Sequence, residues 1–224
     1  LNQYKGSTLE LLRNQSKPQN KMSRRVGGQK GAKDFVQSLK DNRVNKNTMN
    51  RMKTNLQDKK SGWSSKFVEA GGIIALTQYL QTISSKSKLS ARDASIIKDC
   101  LDIFKILLDV SLKSVLTASG ATAAIALPLS LDFDGNKWYS VELLEEICVK
   151  EVHIGAQLVM DAITTVSKNA GEEIPFIYLV HCLESEDAPV ETKAYCLSLI
   201  NQLVDSIESL ESRFKIRTEF MRMG

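Results

Sequence analysis

The sequence predicts an all-α fold, in which stacked helix pairs form a solenoid that follows a small N-terminal helical subdomain. The chain has 224 residues, of which 42% are hydrophobic and 25% charged, a composition typical of a globular protein. From Ser61 onward apolar residues recur at helical spacing, and strand-like alternation is nearly absent. One pattern of apolar positions recurs three times and one glycine-centred turn recurs twice. Recurrence of this kind is typical of helical-repeat proteins.

The recurring apolar pattern defines a template shared by three helices. It begins at a small residue, Cys100, Gly155 or Cys196, and continues at offsets of 1, 3, 4, 7 and 8 positions. These offsets fall on one helix face, so we expect the side chains to be buried. The residues are Leu101, Ile103, Phe104, Leu107 and Leu108; Ala156, Leu158, Val159, Ala162 and Ile163; and Leu197, Leu199, Ile200, Leu203 and Val204.

The spacing of the template predicts the type of repeat. Its starting points are separated by 55 and 41 residues. The second interval fits the roughly 40–47 residues of an armadillo or HEAT unit, so we predict an armadillo-like solenoid. The first interval is too long, and we place the excess in a turn-rich polar stretch over residues 131–137.

Glycine-centred turns support the same fold. Gly71 and Gly72 separate two helical segments, and Gly120 does so again within the next repeat. Glycine ends one helix and lets the next begin at a sharp angle, as between the helices of an armadillo unit. Two unrelated helix ends in an irregular helical domain remain the alternative interpretation.

Charge divides the chain near residue 60. Residues 1–60 carry 15 basic and 4 acidic side chains, a net charge of +11, whereas residues 61–224 carry 15 basic and 22 acidic side chains, a net charge of −7. Within the basic part, the segments around Leu9, from Asp34 to Leu39 and from Asn45 to Leu56 are predicted to be short helices. We therefore predict a basic helical subdomain over residues 1–60 and a repeat domain over residues 61–224.

Several classes of function are disfavoured by the sequence. No apolar run approaches the ~20 residues that cross a bilayer, and the chain opens without a signal-peptide core. The four cysteines are widely spaced among apolar neighbours, which favours free buried thiols in a reducing compartment such as the cytosol. His153 and His181 are 28 residues apart, and neither has a nucleophile or metal-ligand pattern around it. We expect neither an enzyme nor a cofactor or metal site, and surface recognition becomes the class to explore.

Three stretches of the sequence carry motifs that can be compared with a known family. They are Phe35 to Leu56, Leu56 to Ile73 through Trp63, and Cys196 to Gly224. The last stretch is the most specific, because a helix with the pattern Leu-Ile-Asn-x-Leu precedes Arg-Phe-x-x-Arg-x-Glu-Phe-Met-Arg-x-Gly. In this order the three stretches resemble the N-terminal regulatory region of diaphanous-related formins, which joins a GTPase-binding subdomain to an armadillo-repeat inhibitory domain, also called FH3.

The resemblance implies that the basic subdomain and first repeat bind a GTP-loaded Rho-family GTPase. A segment of net charge +11 suits a partner with an acidic surface and speeds their encounter. The family places its GTPase contacts in the polar run before the Trp and in a clasp from the N-terminal segment. The corresponding residues here are Leu9, Leu12, Arg13, Lys53, Gln57, Asp58, Lys59 and Lys60.

The resemblance also implies a groove that holds an amphipathic autoregulatory helix from the C-terminus of the same protein. GTPase binding would displace that helix and release an actin-assembling half, so actin is an indirect partner. We expect the groove-facing residues to be Gln157, Asp161, Thr164 and Thr165. They are more polar than the groove of the family, so we expect autoinhibition to be weak, altered or absent. A cytoplasmic location at the cytoskeleton or cell cortex follows from the same resemblance.

Two other interpretations stay open. The chain is alternatively an armadillo-type adaptor that binds peptides and attaches to anionic membranes through Arg24, Arg25, Lys30 and Lys33. Nucleic-acid binding by the basic arm, residues 1–34, is disfavoured. Tyr4 is the only aromatic residue of this arm, and no nucleic-acid motif is present.

Overall fold

The computed structural model describes residues 31–223, and these contain helices and no strand. The predicted all-α class is therefore confirmed over this part of the chain. The helices are α1 (Ala32–Lys40), α2 (Lys46–Gln57), α3 (Trp63–Glu69), α4 (Gly72–Ser84), α5 (Ala91–Thr117), α6 (Ala121–Ala126), a 3₁₀ turn (Leu127–Ser130), α7 (Asp134–Lys150), α8 (Val152–Asn169), α9 (Ile177–Glu184), α10 (Val190–Asp205) and α11 (Leu210–Met223).

The first two helices occur where the apolar spacing predicted them. Helix α1 begins after Gly31, whose backbone N–H donates to the Asp34 carboxylate at 2.9 Å. Helix α2 begins after Asn45, whose side chain accepts from the Thr48 N–H at 2.9 Å, a standard N-cap. The apolar faces of both helices are buried, through Phe35, Val36 and Leu39 on α1 and Met49, Met52 and Leu56 on α2.

Glycines with positive φ stand at two sharp helix junctions, as predicted. Gly71, between α3 and α4, has φ 80°, and Gly120, between α5 and α6, has φ 76°. Residues with a Cβ rarely adopt this left-handed conformation, which explains the use of glycine. Gly72 has a different role, because a Cβ at this position would lie 2.4 Å from the Phe67 ring. The pair therefore combines a sharp turn with a close helix–helix approach.

The shared template is confirmed for its first helix and corrected in the other two. All six template residues of α5 are buried, including Cys100 and Leu108. On α8, however, Leu158 is only half-buried. On α10, Leu197 is 53% exposed because no described helix covers that side of α10. The template thus identifies the inward face of each helix. The burial of residues at the margin of that face depends on the adjacent helices, which a periodic pattern does not specify.

The long first interval of the template contains more helix than the sequence predicted. The 3₁₀ turn Leu127–Ser130 and only three further residues separate α6 from α7, which already begins at Asp134. The prediction of a turn-rich stretch over residues 131–137 is therefore wrong for its second half. Asp, Asn and Gly are common both in turns and at the starts of helices, so residue type alone does not distinguish the two structures here.

The four cysteines are free and buried, as predicted. Within residues 31–223, no helix combines the length and the low charge that a bilayer-spanning helix needs.

Candidate functional site

The turn between α2 and α3 presents two lysines on a rigid backbone. Residues 57–60, which we call the basic turn, begin at the last residue of α2 and continue into the loop after it, and all four are exposed. The Asp58 carboxylate accepts from the Lys60 N–H at 3.1 Å, and the Ser61 hydroxyl donates to the Asp58 carbonyl at 2.9 Å. Gly62 then adopts φ 61° before α3 begins. These bonds fix the backbone and leave the side chains of Lys59 and Lys60 exposed.

Lys59 and Lys60 have no ion-pair partner among residues 31–223. Gln57 and Asp58 lie beside them, so the structure brings four of the eight predicted GTPase-binding residues into one exposed surface. The N-terminal candidates Leu9, Leu12 and Arg13 lie outside the described residues.

Trp63 fixes the base of the basic turn. Its ring lies edge-on to Phe35 of α1, with centroids 5.5 Å apart, and stacks on Phe67 of α3 at 5.2 Å. The indole is half-buried, and its Nε1 is a buried polar atom without a hydrogen-bond partner. Aromatic pairs in these geometries each contribute about 0.5–1.5 kcal/mol beyond their burial. The cluster therefore holds the start of α3, and with it the turn, against α1.

Lys53 occupies a different environment from the other predicted contact residues. Its ammonium lies 2.8 Å from Asp99 Oδ1 and 3.1 Å from Asp102 Oδ2, both on α5, and its side chain is 22% exposed. Burial opposes the charge, but the hydrogen bonds with Asp99 and Asp102 outweigh it and raise the pKa of Lys53. The described chain therefore uses this charge internally, and a role for Lys53 in partner binding stays a prediction.

Burial likewise opposes ionisation of Asp102, yet hydrogen bonds from Lys53 and Lys98 lower its pKa. No local sequence pattern predicts this cluster, because Lys53 is 46 residues from Asp99 and 49 residues from Asp102. It ties the N-terminal helices to the first long helix of the repeat domain.

A second surface lies between α6 and α8. It is a pocket of about 160 Å³ whose apolar lining comes mainly from Leu116, Ala123 and Leu158, and whose polar lining includes Asp161 and Thr165. Asp161 is held by a hydrogen bond from the Gln157 amide at 3.0 Å. Gln157 and Thr164 are exposed on α8 outside the pocket lining. The apolar template predicts Leu158 in the core, whereas the structure places it in the pocket lining, so the groove is more apolar than the sequence predicts.

Groups that would bind a metal ion are absent from the described residues, where no three His, Cys, Asp or Glu side chains cluster. The described residues thus present two exposed surface features, the basic turn and an apolar groove between α6 and α8.

Two models of known protein families match the chain. A model of the diaphanous GTPase-binding domain matches residues 6–149, well over half of the chain. The chain belongs to the diaphanous GTPase-binding domain family. A model of the diaphanous FH3 domain matches residues 156–224, so this diaphanous region combines both domains in the order that the resemblance implied. Neither family model describes a catalytic domain.

Relatives share this diaphanous region over most of its length. Formin-F of Dictyostelium discoideum is 28% identical over 76% of this chain. Ras guanine nucleotide exchange factor V of the same organism is 27% identical over 70% of this chain. The chain spans only 14% and 8% of the lengths of these two relatives.

A solved structure shares the fold. In the crystal structure of E. histolytica Formin1 bound to EhRho1-GTPγS, the matched chain has a TM-score of 0.70 and 17% identity. The match covers 86% of this chain and 66% of that chain. It confirms the armadillo-like helical fold predicted from the repeat spacing.

Proposed function

We propose that the chain binds the GTP-loaded form of a Rho-family GTPase through the basic turn. The observation that carries the proposal is the pair of unpartnered lysines, Lys59 and Lys60, on a backbone fixed by Asp58 and Ser61. The membership in a GTPase-binding family and the fold shared with a formin solved in complex with a Rho GTPase support this partner.

Rigidity and charge both favour a folded acidic partner. A pre-ordered loop loses little conformational entropy on binding, so more of its contact energy appears as affinity. The net charge of +11 over residues 1–60 attracts an acidic surface over a distance of about a Debye length. Leu9, Leu12 and Arg13 remain the proposed clasp on the GTPase.

Titration of the chain with one GTPase in its two nucleotide states tests this proposal. We expect binding to the GTPγS-loaded form and at least tenfold weaker binding to the GDP-loaded form. Equal affinities for the two nucleotide forms would contradict the proposal. Retained nucleotide discrimination after removal of residues 1–30 would assign the discrimination to the basic turn rather than to the clasp.

We further propose that the groove between α6 and α8 holds an amphipathic helix of the same protein. Leu116, Ala123 and Leu158 form an apolar floor, and Asp161 lies at its edge. An amphipathic helix docks in such a groove through apolar anchors spaced by one helical turn. The negative charge of Asp161 favours a basic residue of the incoming helix, and Thr165 offers it a hydroxyl.

Coupling to actin assembly belongs to the same proposal. The region would regulate a formin whose actin-assembling half is released when the GTPase displaces the helix, at the cytoskeleton or cell cortex in the cytoplasm. The similarity to Formin-F supports a role in a formin. The similarity to Ras guanine nucleotide exchange factor V indicates that related regions also occur in proteins that are not named as formins. Competition for the chain between a C-terminal peptide and the loaded GTPase tests it, and simultaneous binding of both at full affinity would refute it.

Attachment to an anionic membrane through Arg24, Arg25, Lys30 and Lys33 is the alternative function. Of these residues only Lys33 is among those described, and it is exposed at the start of α1. Co-sedimentation with vesicles rich in phosphatidylserine separates the two functions. Vesicle binding that is lost with residues 1–30, together with no GTPase binding, would favour the adaptor.

A further inference from the structure

Arg51 lies on the exposed face of α2, which leads into the basic turn. Arg51, Thr54 and Asp58 are separated by three and four positions, and all three are exposed. Residues at this spacing follow one another along one side of a helix, so Asp58 continues the face that carries Arg51. Asp58 is the first residue after α2 and belongs to the basic turn. Arg51 therefore precedes the turn by about two helical turns, or about 10 Å along the helix axis.

The Arg51 side chain is held in place by a buried aromatic ring. Its guanidinium carbon lies over the ring of Phe35, 6.0 Å from the ring centroid. A cation at this distance is attracted to the face of an aromatic ring. Phe35 is only 1% exposed, and its ring also lies edge-on to Trp63, which holds the base of the basic turn. Arg51 and the basic turn are therefore held by the same aromatic cluster.

The guanidinium of Arg51 has no ion pair or hydrogen bond within residues 31–223. The nearby Lys53 differs, because Asp99 and Asp102 neutralise its charge inside the fold. A guanidinium presents its N–H donors in a planar fork, and one carboxylate accepts two parallel hydrogen bonds from it. Contact with Phe35 restricts the Arg51 side chain before any partner arrives, so less conformational entropy is lost on binding.

We propose that Arg51 anchors the bound GTPase, through a bidentate ion pair between its guanidinium and one carboxylate of that partner. This inference rests on the proposed function and adds to it the residue that holds the complex together. Arginine is enriched at the centres of protein interfaces, whereas lysine is depleted there. A partner that covers the exposed face of α2 also removes water from Arg51, because Phe35 closes the site from below.

Arg51 and the basic turn would then act on different rates. A desolvated, hydrogen-bonded charge pair mainly sets the dissociation rate, whereas exposed charges at the rim mainly set the association rate. Arg51 has the first role, since it lies against a buried ring. Lys59 and Lys60 have the second role, since they are exposed in the loop after α2. The competing explanation is purely structural, with the stem of Arg51 only shielding Phe35 from water.

Stopped-flow kinetics of the complete chain with a GTPγS-loaded Rho-family GTPase tests the proposal. Arg51→Lys keeps the charge and most of the stem but removes the planar fork. We expect its dissociation rate to rise by about tenfold or more, while its association rate stays within about threefold. Urea unfolding should give the same stability as for the unsubstituted chain. Arg92→Lys is the matched control, because Arg92 is an exposed arginine on α5 and its replacement should change neither rate.

The same kinetics separate a failure of the anchor from a failure of the proposed function. Nucleotide-dependent binding with an unchanged dissociation rate in Arg51→Lys would overturn the anchor and leave the proposed function intact. Equal binding of the GTPγS and GDP forms by the unsubstituted chain would overturn both. A loss of stability in Arg51→Lys that accounts for all of its weaker binding would assign Arg51 to the shielding of Phe35 and exclude the anchor.

Charge reversal identifies the carboxylate that Arg51 binds. We expect Arg51→Glu to weaken binding, and replacement of one acidic surface residue of the GTPase by arginine to restore it. The same GTPase variant should bind the unsubstituted chain poorly, because two cations then face each other. Restoration at none of the acidic positions of the GTPase surface would rule out the ion pair.

Discussion

The ammonium of Lys53 on α2 lies 2.8 Å from Asp99 Oδ1 on α5, across 46 residues of sequence. The Asp99 side chain is only 10% exposed, and its second oxygen is buried without a hydrogen-bond partner. This ion pair joins the N-terminal helices, which carry the proposed GTPase contacts, to the first long helix of the repeat stack. A basic residue inside a basic subdomain thus has a structural partner.

Replacing Lys53 with methionine should destabilise the fold. The substitution keeps the length of the apolar stem but leaves the Asp99 carboxylate buried and unpaired, which costs about 2–4 kcal/mol. Urea unfolding followed by circular dichroism measures the loss. Lys98→Met is the matched control, because Lys98 is 60% exposed where it pairs with Asp102 and should cost at most about 1 kcal/mol. Equal losses for the two variants would show that the Lys53 pair is not a tie between helices.

A methyl group at Gly155 should force α7 and α8 apart. A Cβ there would lie 2.6 Å from the Ile147 carbonyl oxygen, which is backbone and cannot turn away. We expect Gly155→Ala to cost about 1–3 kcal/mol, because the added methyl group overpacks the contact between the two helices. Gly135→Ala is the matched control, since Gly135 is also helical and a Cβ would meet nothing within 4 Å. That variant should be neutral or gain up to about 1 kcal/mol in thermal unfolding.

Trp63 should contribute to stability through its ring rather than its N–H group. Loss of the contacts with Phe35 and Phe67 in Trp63→Ala should cost about 2–3 kcal/mol, somewhat below the range for a fully buried tryptophan. Trp63→Phe keeps an aromatic ring, removes a buried donor without a partner, and should cost about 1 kcal/mol. Chemical unfolding of the two variants measures both costs. An unchanged free energy of unfolding in Trp63→Ala would contradict the placement of the cluster.

Reversing the charge of the basic turn should slow GTPase binding without changing stability. Lys59→Glu/Lys60→Glu replaces two unpartnered cations, so we expect the association rate at low salt to fall by about tenfold or more. Stopped-flow fluorescence with a labelled GTPase measures the rate. Lys88→Glu/Lys113→Glu is the matched control, because it makes the same charge change at exposed positions away from the turn. Equal slowing by both variants would assign the effect to net charge rather than to the turn.

The sequence predicted much of the fold because its signals are local. The apolar face of α5 and the turns at Gly71 and Gly120 follow from spacing and from glycine's freedom at positive φ. The partial exposure of Leu158 in the groove was not predictable from spacing. A residue at the margin of an apolar helix face is buried or exposed according to which neighbouring helix lies beside it. For Leu158 this depends on where α6 ends, and that is set by tertiary packing.

The candidate site was predictable to the same extent. The exposed run from Gln57 to Lys60 is contiguous in sequence, so one resemblance was enough to locate it. The pairing of Lys53 with Asp99 and Asp102 joins residues 46 and 49 positions apart, and only the fold brings them together.

Calorimetric titration of the chain with one Rho-family GTPase, loaded first with GTPγS and then with GDP, tests the central claim most directly. The account predicts measurable binding of the GTPγS form and an affinity at least tenfold lower for the GDP form, a difference of about 1.4 kcal/mol or more in binding free energy. Equal affinities for the two forms, or no binding of either by any member of a panel of Rho-family GTPases, would contradict it.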